Sequence, residues 1–182
     1  NLREYWDYIE FESQRQIGGC IWDWVDQSLN KYGEPASHVY YGGGFGDRPT
    51  DYDFCCNGIV TSDRQVTPKL LQVKKIYQYV DFRLTSEGQI RVRNRYAFTN
   101  LKDYRLLCVM LRDGVEVETK TLQLPSLAPG DTLLLPSPIQ QPQAPGEYHL
   151  NLSLCLPKAT LWADAGHSVA TEQLTLSTIP YP

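Results

Sequence analysis

The spacing of hydrophobic positions changes near residue 80. Before it, Leu2, Tyr5, Trp6 and Ile9 follow helical spacing, which predicts an amphipathic helix over residues 2–14. Asn1, with Glu4 three residues on, reads as a capping box at its start. Gly18-Gly19 breaks the period, and "CIWDWV" follows as a short apolar run of the kind found in buried parallel strands. From Asp26 to Val66 no period is sustained, and glycine, aromatic and polar residues are mixed together. Thr67-Pro68 then places a capping residue before a proline at the first helical position. Leu70, Val73, Tyr77 and Val80 are expected to supply the buried face of this second helix.

After Asp81 the period drops to two. "VDFRL", "QIRVRNRYAF", "YRLLCVMLRD", "VEVETKTLQL", "TLLLP", "YHLNLSLCLP" and "TEQLTLS" are short, largely alternating runs. Turn signals separate them, among them Ser86-Glu87-Gly88, Asp113-Gly114, Pro129-Gly130-Asp131 and Pro145-Gly146. Runs of this length and spacing predict an immunoglobulin-like β-sandwich over residues 80–182, with the domain boundary near residues 79–82. In the first half, helix, strand, long loop and helix form an α/β pattern. In a (β/α)8 barrel the loops after strands carry the chemistry, but a complete barrel needs about 250 residues. Residues 1–79 therefore fit only its last part. The expected fold is an α/β fragment, the end of a (β/α)8 barrel, followed by an all-β immunoglobulin-like sandwich.

Composition narrows the function classes. With 42% hydrophobic and 21% charged residues, the 182-residue chain has an ordinary globular composition. A formal charge of -4 leaves no electrostatic footprint for nucleic acid or an anionic membrane. No apolar run approaches the roughly 20 residues of a membrane-spanning helix. The chain opens without Met, its single methionine being Met110, and is expected to be a piece of something longer. The five cysteines, Cys20, Cys55, Cys56, Cys108 and Cys155, show no CxxC spacing, so a zinc site is not expected. Cys108 and Cys155 lie in strand-like runs where a disulfide across two sheets is conceivable, but buried free thiols are the favoured reading.

Several residues invite a chemical role. Trp22 and Trp24 flank Asp23, with Asp26 close by; from the residues alone, Trp22 is favoured as core filler and the two acids as structural acceptors. Asp23 among apolar neighbours should be ionised and hydrogen-bonded. The run Gly42-Gly43-Gly44-Phe45-Gly46-Asp47 lacks the spacing of either phosphate-binding glycine motif and reads as a tight or flexible loop over a pocket. Asn57-Gly58 alone is a common turn dipeptide. His38, His149 and His167 have no metal or triad spacing, Trp162 reads as buried, and Arg64, Lys69, Lys74 and Lys75 read as a solvated helix face.

Taken together, "GGCIWDWVDQSL", "YGGGFGDRPTDYDFCCNGIVTSDRQVTPKLLQVK" and "LWADAGHSVATEQ" closely resemble bacterial β-galactosidases of glycoside hydrolase family 2, over nearly all of the chain. The resemblance implies that the first block is the eighth barrel strand, the second the loop and helix closing the barrel, and the β half the sandwich domain that follows. It implies a parent enzyme that cleaves terminal β-D-galactosides with retention of configuration, through two glutamates about 5 Å apart. Both glutamates, and the ligands of a magnesium ion, would lie upstream of Asn1; Glu4, Glu10 and Glu12 match neither catalytic role. Trp22 would form an apolar wall of the galactose pocket, and Trp24 would pack in support. Phe54, through its backbone carbonyl, and Asn57, through its side-chain oxygen, would hold a sodium ion beside the sugar, which Asn57 would also touch. Gly44 stands where relatives carry an acid, so any role of that acid is in doubt here. The partners implied are a β-galactoside and the remaining domains of the parent. A homo-oligomeric parent and a bacterial cytoplasmic or periplasmic location stay open. A structural or carbohydrate-binding role for the β half, without catalysis, is the competing reading.

Overall fold

A computed structural model of the chain describes residues 2–35, 37–52, 54–140 and 142–182. The chain divides into two compact units, Asn1–Tyr77 and Gln78–Pro182.

The first unit is sparse in regular structure. Helix α1 spans Leu2–Asp7 and widens into one π-helical turn at Tyr8–Glu12. That turn is closed where the Ser13 N–H donates to Tyr8 O at 2.8 Å. The helical segment thus ends two residues short of the expected limit, and Asn1, the expected cap, lies outside the described residues. Trp6 stacks on Tyr77 with ring centroids 4.4 Å apart. A 3-10 turn occupies Gly42–Phe45, and helix α2 spans Pro68–Ile76. Thr67 precedes α2 as expected, yet its hydroxyl makes no capping bond. It donates instead to the carbonyl of Ile59 at 2.5 Å, tying the helix start to the preceding loop. The expected buried face of α2 is only half realised. Ile76 is the fully buried residue, whereas Leu70, Val73 and Tyr77 are half-buried and Val80 belongs to the next unit.

The expected strand at "CIWDWV" does not form. Among the described residues, Val25 makes one parallel bridge to Val60, and the run has no ladder on either side. A central parallel strand is paired along both edges, and among the described residues this run is engaged only by a short irregular contact with residues 57–60.

The second unit carries seven strands among the described residues: β1 Val80–Leu84, β2 Ile90–Asn94, β3 Arg105–Arg112, β4 Val115–Gln123, β5 Thr132–Leu135, β6 Gly146–Cys155 and β7 Ser168–Ile179. They form a three-stranded sheet in the order β1-β2-β5 and a four-stranded sheet in the order β4-β3-β6-β7, with every pairing antiparallel. The alternation read from the sequence is visible in β6, where Tyr148, Leu150, Leu152 and Leu154 are buried and the residues between them are not. One apolar cluster takes Val80, Phe82, Ile90 and Val92 from the first sheet. It takes Leu106, Cys108, Met110, Leu150, Leu152, Leu154 and Ala170 from the second. The two-residue connection Asp113-Gly114 has φ of 50° and 80°. Positive φ at both positions gives the turn whose twist suits a tight hairpin, which explains why Asp-Gly sits between β3 and β4.

Among the described residues one polar side chain, Asn94, is wholly buried, at the end of β2. Its amide donates to the carbonyls of Thr99 at 2.8 Å and Leu127 at 3.0 Å, and its oxygen accepts the Tyr96 N–H at 3.0 Å. Every hydrogen bond lost from such a group would leave an uncompensated desolvation cost, so the knot fixes these loops over the core. Arg95 pairs with Asp81 at 2.9 Å nearby.

Cys108 and Cys155 lie on neighbouring strands of one sheet. Cys108 is opposite Leu152, and Cys155 is opposite Arg105. An odd offset of three puts their side chains on opposite faces, so the disulfide conceived across two sheets is excluded, and no cysteine is disulfide-bonded. Trp162 departs from expectation, being 67% exposed and meeting His167 edge to face. Phe98 is 97% exposed, and Tyr148 is buried. Among the described residues no helix is long and apolar enough to cross a membrane.

Candidate functional site

The candidate residues fall on two segments of the first unit that clasp each other through their backbones. The Asp23 N–H donates to Asn57 O at 3.3 Å, Ile59 N–H to Asp23 O at 2.9 Å, Val60 N–H to Trp24 O at 3.0 Å, and Asp26 N–H to Val60 O at 3.0 Å. Gln27 N–H adds a 2.7 Å bond to Cys55 O. Residues 23–27 and 55–60 therefore form one short two-segment clasp, in which the peptide N–H following Trp22 is the one bonded to Asn57 O.

Two side chains reinforce the clasp. Asp26 accepts the Gly58 N–H at 2.8 Å. Asp23 accepts from Trp24 N–H at 2.6 Å and from the Gln27 amide at 3.1 Å. Both acids thus take the structural role expected of them, Asp23 being hydrogen-bonded and half-buried. Asp26 thus binds a backbone amide. Gly58 is required by proximity. A Cβ there would lie 2.1 Å from Asp26 N and 2.4 Å from the Val25 carbonyl carbon, both backbone atoms that cannot swing aside. The Asn-Gly dipeptide looked like an ordinary turn. Its steric demand comes from residues about thirty positions away and leaves no local mark.

The ligand candidates are displayed, not packed. Trp22 is 73% exposed, Trp24 58% and Phe54 57%. Trp24 therefore does not act as buried packing in this chain. Asn57 is different. Its side-chain oxygen is buried and carries no hydrogen bond among the described residues. An unsatisfied buried carbonyl-type oxygen costs free energy unless a donor or cation meets it. Hard cations take such neutral oxygen ligands, so the donor chemistry of Asn57 Oδ1 and a backbone carbonyl at Phe54 suits a sodium ion. No cluster of three or more His, Cys, Asp or Glu side chains able to hold a metal occurs among the described residues.

A cavity adjoins the clasp, and Gly42 and Asp47 of the glycine run expected to cover a pocket lie on its wall. It has a volume of about 590 Å³ and is lined in part by Gln27, Tyr40, Asp47, Asp51, Phe54 and Arg64. Arg64, expected on a solvated helix face, lies on this wall in a turn with φ of 70°. Tyr40 is held by Lys31, whose Nζ lies 4.0 Å from the ring centroid, and packs edge-on against Phe45. Hydrogen bonding to Glu34, with lesser help from burial and the Glu34 charge, raises the Tyr40 hydroxyl above its ordinary pKa. The glycine run folds tightly beside this ring; a Cβ at Gly44 would come within 2.9 Å of it. Glu4, Glu10 and Glu12 are exposed on the first helical segment, away from the clasp in sequence.

Comparison with known proteins covers both units. Residues 1–82 match the family described as glycosyl hydrolases family 2, TIM barrel domain, and residues 90–177 match beta-galactosidase, domain 4. The chain belongs to glycosyl hydrolases family 2. A beta-galactosidase of Photobacterium profundum is 40% identical over 182 residues, covering 97% of this chain and 18% of that protein. One from Priestia megaterium is 41% identical over the same length, covering 97% and 17%. One from Vibrio vulnificus (strain YJ016) is 39% identical over 178 residues, covering 95% and 17%. The chain thus spans less than a fifth of the length of these family 2 relatives.

Proposed function

We propose that this chain is the end of the catalytic barrel and the following immunoglobulin-like sandwich of a retaining β-galactosidase that hydrolyses terminal β-D-galactosides. In this reading residues 1–79 supply ligand contacts and residues 80–182 are the support. Trp22 presents a flat apolar face to the C–H face of the galactose ring. Asn57 contacts the sugar and, with the Phe54 carbonyl, holds a sodium ion that supplies fixed positive charge beside the sugar hydroxyls. Both catalytic glutamates and the magnesium ligands belong to other parts of the enzyme, so the chain alone is inactive. The remaining domains, and other copies of the enzyme if it is a homo-oligomer, are its partners.

The observation that carries this reading is the buried Oδ1 of Asn57, without a hydrogen bond among the described residues, on a residue whose carbonyl accepts the Asp23 N–H next to Trp22. The strand orders β1-β2-β5 and β4-β3-β6-β7 support the sandwich assignment. The test is made in the full-length enzyme. Trp22→Ala should lower kcat/KM at least about tenfold, the loss expected for roughly 1.4 kcal/mol of transition-state contact. Asn57→Ala should blunt activation by sodium. Unchanged kinetics in the first variant and an unaltered sodium response in the second would remove these roles.

The exposure of Trp162 and Phe98 favours a second reading, in which the β half binds glycans without catalysis. Titration of the chain with galactosides separates the two, since binding lost in Trp162→Ala but kept in Trp22→Ala would favour the second.

A further inference from the structure

The strand registers fix which loops of the β unit share an end. Val80 pairs with Asn94, so residues 95–104 leave one sheet at the end where β1 begins. In the other sheet Arg105 pairs with Cys155 and Cys155 with Ser168, so residues 156–167 lie where β3 begins. Residues 95–104 join β2 to β3, and Thr171 N–H donates to Gln78 Oε1 at 3.1 Å, which brings the two ends together. Gln78 is the residue at which the chain enters this unit. Large apolar side chains are displayed at this end. Phe98 and Leu161 are exposed almost in full, Trp162 is largely exposed and Tyr79 about half. The turns at the opposite end, residues 85–88 and 112–114, are polar.

The loops that carry these side chains are held in place. Leu156 N–H donates to His167 O and Gly166 N–H to Leu156 O, both at 3.0 Å, closing the base of one loop. Thr160 N–H donates to Ala163 O at 2.8 Å, and Ala163 N–H to Thr160 Oγ1 at 3.2 Å, so Leu161 and Trp162 form a tight tip. Phe98 stands on the loop fixed by the Asn94 knot. Apolar groups already held by their loops lose little freedom when covered, and a protruding Trp is a common anchor of an interface. A leucine beside aromatics suits an apolar protein surface better than a sugar rich in hydroxyls.

Residues 1–82 match a TIM barrel domain, such a barrel needs about 250 residues, and the chain spans less than a fifth of its relatives. Most of that barrel lies outside this chain, and its connection to the β unit runs through Gln78, at the apolar end. We propose that this end of the β unit is the docking face for the part of the catalytic barrel outside these 182 residues, with Trp162 as its anchor. The proposal rests on the reading of residues 1–79 as the end of a barrel, and not on the sugar that the barrel binds.

The test uses the full-length enzyme with the photocrosslinker p-benzoylphenylalanine in place of Trp162. After irradiation and digestion, mass spectrometry should find cross-links to barrel peptides outside this chain. Cross-links confined to another domain, to a second copy or to these 182 residues, or no cross-link at all, would overturn the proposal. Trp162→Ala reads the same contact in another way. It should lower the inactivation temperature of the full-length enzyme by several degrees and leave the melting of the 182-residue chain in place. An equal shift in both would make Trp162 a support of its own loop only, against the proposal. Hydrolysis of a chromogenic β-galactoside by the unsubstituted enzyme is measured alongside. Its absence would remove the galactosidase reading and leave the cross-link result standing.

Discussion

The two units of this chain use their hydrophobic residues in opposite ways. In Gln78–Pro182, side chains from two sheets close on one another, and Leu106, Leu150, Leu152 and Leu154 are all but inaccessible. In Asn1–Tyr77, the buried hydrophobics among the described residues are Ile59, Val60 and Ile76, while Tyr5, Ile17, Trp22, Trp24, Tyr32 and Tyr52 are exposed. The first unit is held chiefly by backbone hydrogen bonds between short segments, the second by apolar burial. Burial contributes roughly 25 cal/mol per Å² of apolar surface removed from water, and each clasp hydrogen bond only about 1 kcal/mol net. Stability therefore resides in the β unit, and displayed aromatic chemistry in the other.

The contrast can be broken most forcefully from the β side. Leu152 is fully buried in the centre of β6. Leu152→Ala should cost about 3 kcal/mol in urea unfolding of the β unit, within the usual range for a buried leucine that leaves a cavity. A cost below about 1 kcal/mol would show that the core is looser than its burial indicates.

A smaller, local effect is expected from Gly58→Ala. The added methyl cannot fit against the Asp26 amide, so the clasp must open. Hydrogen exchange should show lost protection at the amides of Asp26, Ile59 and Val60, with β3 and β6 unchanged. Protection retained at those three amides would mean that the close approach is not obligatory.

These two sites also show what the sequence could and could not disclose. Leu152 sits in a run of strict alternation bounded by Pro145-Gly146 and Pro157, and both its strand and its inward face follow from period two alone. The strands of the β unit were legible for the same reason. At "CIWDWV" the same kind of reasoning failed, because an apolar run becomes a buried strand only where neighbours cover it, and that depends on partners beyond the local sequence. Trp162 departs from its expected burial on the same ground. Within the candidate site, Trp22, Phe54 and Asn57 stood out only through motif resemblance. The two structural acids were readable from their apolar neighbourhood, and a pocket beneath the glycine run was expected, whereas its lining beside Tyr40 was not readable, since it is assembled from loop residues with no periodic pattern.

The smallest expected effect lies at the rim of the β unit. The Glu147 backbone N–H, then the Tyr181 hydroxyl, donate to the Asp113 carboxylate and lower its pKa, with a minor contribution from the Arg112 charge. A carboxyl whose folded pKa lies below its unfolded value stabilises the fold above the ordinary carboxylate range. That contribution fades as pH falls through the range. Asp113→Asn should therefore lower the melting temperature slightly at pH 7 and make no difference at strongly acidic pH. A difference that grew on acidification would reverse the sign and refute this role.

The division between a displaying unit and a supporting one is tested most directly by hydrolysis of a chromogenic β-galactoside, with the 182-residue chain run beside the full-length enzyme that contains it. An active full-length enzyme and an inactive chain are what the proposed function predicts, since in that proposal the chain contributes sugar contacts without the catalytic carboxylate pair. Hydrolysis by the chain alone would place that pair within these residues, and an inactive full-length enzyme would remove the galactoside from the account; either result would contradict it.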